Sequence, residues 1–108
     1  MKFNRLAVTA ILGACVFFST AHADVKKGQK LYLKACKECH GNGTKGAAMH
    51  SQAEWKKLFD NNSQGMVDAH KGTPGENKMS PSFFEKNGEH IFDFLHEYAN
   101  DSGNVPSC

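Results

Sequence analysis

Long apolar runs are scarce in this 108-residue chain: one occurs, LAVTAILGACVFF at residues 6–18, and no second follows. It is too short for the roughly 20 residues of a membrane-spanning helix, so no transmembrane segment is expected in the mature chain. A surplus of one charge is missing as well. Thirteen Lys and Arg face 11 Asp and Glu, a formal net charge of +2, which excludes the strongly basic face of a nucleic-acid binder. Proline is rare, at 3 residues, and there is a single tryptophan. Internal repeats, low-complexity tracts and paired strand-like runs with hairpin chemistry are all absent, which argues against solenoids and sheets.

What is present at the start is a leader. Lys2 and Arg5 precede the apolar run, and STAHAD follows it, with Ala21 and Ala23 in a small-x-small pattern. This is the layout of a secretory signal peptide over residues 1–23, cut between Ala23 and Asp24. A rival reading takes LGAC as a lipoprotein box with Cys15 lipidated. Val16, Phe17 and Phe18 continue the apolar run beyond it, which disfavours that reading. The leader takes away Lys2 and Arg5 and no acid, so residues 24–108, expected to be one domain, balance basic against acidic side chains. A domain so small buries only a modest core and usually needs a staple. The cysteines left, Cys36, Cys39 and Cys108, are odd in number and cannot close a disulfide framework.

KACKECHGNG, residues 34–43, crowds Cys36, Cys39 and His40 together. Cys-x-x-Cys-His is the attachment signature of c-type haem: two thiols form thioethers with the vinyl groups and the adjacent imidazole binds iron. At a helix end Cys36 and Cys39 lie about a turn apart, which lets His40 project under the macrocycle they hold. A thioredoxin-like pair would accompany βαβ patterning, and a structural zinc site would need a second Cys/His cluster; neither is found.

The remaining pattern reads as all-α. DVKKGQKLYLKACKECH predicts a helix from Asp24 into the cysteine motif, with Leu31, Tyr32 and Ala35 on its apolar face beside Gly28. GNGTKG reads as a glycine loop. Ser51 and Glu54 form a capping box that opens a helix carrying Trp55, Leu58 and Phe59, with Asn61 and Asn62 at its end. Residues 62–82 read mostly as loop, with a helical patch around Met66–Ala69. A loop of that length is unusual unless it wraps something. NGEHIFDFLHEYAN gives the strongest helix signal.

GQKLYLKACKECHG, the methionine loop and the aromatic terminal helix together resemble the class I c-type cytochromes over most of residues 24–101. The resemblance implies a cytochrome c-like fold, three to four short helices wrapped around one covalent haem c, and single-electron transfer between larger redox proteins of the periplasm. It implies that Gly28 and Tyr32 meet Phe94, Leu95 or Tyr98 where the first and last helices cross. The chain departs from many relatives in lacking a proline after the motif, which leaves the acceptor for His40 Nδ1 open. Trp55 is expected either to reach a haem propionate or to pack in the core.

For the second axial position the candidates are Met49, Met66, Met79, His50, His70, His90 and His96. Met79, in the loop-like NKMSPSF, is the first choice: its thioether suits ferrous iron, and His/Met ligation raises the reduction potential. His70 is the second. Met49 and His50 follow His40 too closely, and His90 and His96 are expected at exposed helical positions. Lys26, Lys30 and Lys34 recur every four residues, as do Glu85, Glu89, Asp93, Glu97 and Asp101. Each series makes a solvated stripe, or the basic one docks an acidic redox partner. Cys108 leaves a monomer with a free tail thiol or a disulfide-linked dimer. The expected function is that of an electron carrier rather than an enzyme, with a dehydrogenase, reductase or oxidase as partner. The alternative is a ligand-binding or sensor haem protein with an open or labile distal position.

Overall fold

A computed structural model describes residues 24–106; the expected leader, Cys15 and Cys108 lie outside the described residues. Five helices follow in order: α1 (Val25–Ala35), α2 (Lys37–His40), α3 (Gly43–Ala47), α4 (Gln52–Ala69) and α5 (Pro81–Glu97). No strand occurs among the described residues, as the all-α reading expects.

Helix α1 buries Gly28 and Tyr32 and leaves Lys26, Lys30 and Lys34 exposed. It crosses α5 at Gly28, where a Cβ would run into the His90 carbonyl and lie 2.9 Å from the Phe94 Cβ. Only glycine permits so close a backbone approach. One turn on, the Tyr32 and Phe94 rings stand 5.6 Å apart, and Phe94 in turn lies 5.4 Å from Tyr98. At its start α1 is tied to α5 by Asp24 and His90, 3.3 Å apart. The core is small: Tyr32, Ala47, Trp55, Ile91, Phe94, Leu95 and Ala99.

Helix α4 begins with the expected capping box. Ser51 Oγ accepts from Glu54 N at 3.1 Å, and Ser51 N donates to Glu54 Oε1 at 2.9 Å. The helix breaks at Asn61 and Asn62 as expected, and a second helical stretch follows across the kink. Asp60 leaves helical geometry, Asn61, Asn62 and Ser63 take φ of 54°, 58° and 64°, and the helix resumes to Ala69. Asparagine is among the non-glycine residues that enter the left-handed region most readily. Two expectations are corrected. The first helix is interrupted at Cys36 before one more turn as α2, and the glycine loop contains α3, because Asn42 Oδ1 accepts from Lys45 N at 2.9 Å and caps it.

Between α4 and α5 the chain runs through successive turns. Thr73 N donates to His70 O, Lys78 N to Gly75 O and Met79 N to Gly75 O. Ser80 then caps α5 by accepting from Phe83 N, and Pro81 occupies its first turn, where a missing N–H costs nothing. These turns bring the loop back against the face of the bundle that carries the cysteine motif.

Candidate functional site

Cys36, Cys39 and His40 sit on one tight turn: Cys39 N and His40 N both donate to Cys36 O, at 3.2 and 3.0 Å. Gly41, with φ of 86°, turns the chain away immediately afterwards. Tyr32 stabilises that turn from the core side, its hydroxyl donating to Gly41 O at 2.8 Å and lying 3.2 Å from Asn42 O. Tyr32 is 1% exposed, so the α1–α5 packing that buries its ring also positions the segment after His40. Sequence reasoning found Tyr32 as a packing residue and missed this hydroxyl, whose carbonyl partners are set by the tertiary path of the backbone.

The turn forms one edge of a cavity of about 550 Å³, within the roughly 300–1,000 Å³ range of ligand and cofactor sites. Cys36, Cys39, His40, His70 and Met79 all line it, between apolar walls from Trp55, Leu58, Met66, Ile91 and Leu95. Met79 is 6% exposed. The His40 and His70 rings stand 6.1 Å apart between centres and nearly perpendicular, at 85°. His70 Nδ1 lies 2.7 Å from Met66 O.

The donor set fits covalent haem. Both described cysteines are free thiols, as thioether formation requires. Burial, and secondarily the Cys39 thiol, push Cys36 up to about 11, opposite to the depression that marks a redox-active Cys-x-x-Cys pair. Burial, and secondarily His70, hold His40 below its ordinary 6.5. That shift favours the neutral ring, the form that ligates a metal. An apolar cavity with two anchoring thiols and an imidazole on its edge accepts a flat hydrophobic macrocycle and offers iron a ligand.

The other candidates fall elsewhere or are otherwise engaged. Trp55 is 2% exposed and its Nε1 donates to Ala47 O at 2.9 Å, so the indole is a core and cavity-wall residue and its N–H is already used. His50 and Met49 also line the cavity, with the His50 ring 4.7 Å from Trp55 and its Nδ1 3.6 Å from Glu54. Met66 is a wall residue whose carbonyl serves His70. His90 and His96 are half-buried rather than exposed; His90 faces Asp24 and the His96 ring lies 5.1 Å from Phe92, tilted by 37°.

The sequence matches the family described as cytochrome C oxidase, cbb3-type, subunit III, over residues 23–96. No curated protein and no solved structure matches the chain. The family match spans α1 through the last turn of α5 and includes every residue named at the cavity. The helical fold, the paired thiols beside an imidazole and this match agree: the chain belongs to the cbb3-type subunit III family, as a c-type cytochrome domain with covalently bound haem c.

Proposed function

We propose that this domain is a periplasmic single-electron carrier in which Cys36 and Cys39 hold haem c by thioethers and His40 and Met79 are the axial ligands. The observation that carries the reading is the convergence of these four side chains on one largely apolar cavity. Bound haem supplies an iron that takes up and releases one electron. The chain's own residues set how easily it does so. The apolar walls from Trp55, Leu58, Ile91 and Leu95 would keep water from a bound haem, and the Met79 thioether would favour its ferrous state and raise its potential. The Tyr32 clamp on Gly41 limits movement of the segment that carries His40.

Electrons would enter and leave near the cysteine turn. Cys39 is exposed, and Lys30, Lys34 and Lys37 are exposed on α1 and α2, the helices that lead into and carry it. That basic rim suits brief docking of an acidic surface, which steers encounter without demanding tight binding. A terminal oxidase is the partner to which the family's name points; a dehydrogenase or reductase is the source of electrons in the same scheme.

Expression in a host with haem-ligation machinery tests the reading. The exported protein should gain the mass of one haem, and its visible spectrum should change reversibly on reduction. Wild-type ferric protein should show the weak far-red sulfur-to-iron band, and Met79→Ala should lose it. A colourless product without porphyrin mass overturns the haem assignment; a Met79→Ala spectrum identical to wild type overturns the distal one.

A further inference from the structure

Two donors of different chemistry, the Met79 thioether and the His70 imidazole, line the cavity that His40 borders. Resting on the haem reading above, we propose that His70 is a reserve iron ligand, whose imidazole takes the distal position when the thioether leaves it.

Three observations carry this. The first is placement. Metal–imidazole bonds of about 2.0–2.1 Å would put the centres of two trans rings about 6.3 Å apart, and the His40 and His70 rings stand 6.1 Å apart, at 85° to one another. The second is the proton. Met66 O lies 2.7 Å from His70 Nδ1, and a carbonyl only accepts, so Nδ1 carries the hydrogen. In the neutral ring the lone pair is then on Nε2, the atom free to bind a metal. A carbonyl on the other ring nitrogen is the usual device for fixing a ligating imidazole. The third is the backbone. His70 O accepts from both Thr73 N, at 3.1 Å, and Thr73 Oγ1, at 2.7 Å, so the ring hangs from an ordered turn at the end of α4.

His50 borders the same cavity, but it stands edge-on to Trp55 beside Glu54. His70 alone among the described histidines combines the approach to His40 with a backbone acceptor at Nδ1. Its consequence is protective. With the thioether gone, an imidazole keeps the iron six-coordinate, lowers the potential and competes with small molecules for the vacated position.

The test uses holoprotein carrying Met79→Leu, which conserves buried volume, and the Met79→Leu/His70→Ala double variant. Met79→Leu should lose the far-red band yet stay low-spin in the ferric state; the double variant should be high-spin. Carbon monoxide should bind ferrous Met79→Leu at least about tenfold more weakly than the double variant, since a ligand occupying iron nine-tenths of the time lowers apparent affinity by that factor. A high-spin Met79→Leu that binds carbon monoxide as the double variant does overturns the proposal and leaves the Met79 reading intact. If Met79→Leu takes up no haem, the Met79→Ala pair is read by the same criteria. A wild type lacking the far-red band, with a spectrum altered by His70→Ala alone, overturns the proposal: His70 is then the resting ligand rather than the reserve, and Met79 is removed from the resting site. Absence of porphyrin from every form fails the haem reading itself.

Discussion

Tyr32 shows how one side chain links packing to the site. Its ring fills the α1–α5 crossing and its hydroxyl reaches the carbonyls that follow His40. Burial first, and then Cys36, push that hydroxyl up to about 12, so it remains a donor throughout the physiological range. Tyr32→Phe keeps the ring and strands the carbonyl of Gly41. The expected cost is about 1–2 kcal/mol in denaturant unfolding of the holoprotein; an unchanged midpoint would show the clamp to be without weight. At this scale the Cys-x-x-Cys-His motif was legible because it lies within five positions. The Tyr32 hydroxyl was not, since its acceptors lie nine and ten residues away across a turn. Trp55 was half legible: its burial followed from periodicity, whereas the choice of Ala47 O as partner depended on where α3 came to rest.

Helix α4 carries the same lesson for an element. Its opening was readable from Ser51 and Glu54, because a capping box is satisfied within four residues. The Glu54 carboxylate, held chiefly by the Ser51 backbone N–H, sits below its ordinary 4.5. A carboxylate depressed on folding stabilises above its unfolded value, and that contribution is lost as pH falls through the lower folded one. Glu54→Gln should therefore melt below wild type near neutrality, and the gap should close on acidification from about pH 5 to pH 3. A gap of constant size over that range would dismiss the charge as the cause. The kink was only partly legible. Asn61 and Asn62 mark the break, but resumption of the helix depends on packing against α5, where the Ser63 Oγ lies 3.0 Å from where a Cβ on Gly88 would be. Helix α3 was missed because two of its five residues are glycine and its Asn42 cap outweighs their poor propensity.

Across the molecule, basic and acidic side chains nearly balance. Lys30 and Lys34 are exposed on α1, the helix that leads into the cysteine turn. Oxidation of ferrous protein by ferricyanide, an anion, should slow about tenfold in Lys30→Glu/Lys34→Glu at low ionic strength, with the difference fading as salt is added. Equal rates at every ionic strength would assign the stripe to plain solvation. The sequence by itself determined the helical class, the attachment motif and the capped start of α4, because each is encoded in residues close in sequence or in one recurring face; the start of α5 at Ser80 and Pro81 fell inside the stretch read as loop. The tertiary structure decided which donors share the cavity. Met79 and His70 are nine positions apart on a path of successive turns, and whether either reaches the wall near His40 depends on how that path folds back over α4 and α5. Local preference ends at each turn; the approach of His70 to His40 is a property of the assembled core.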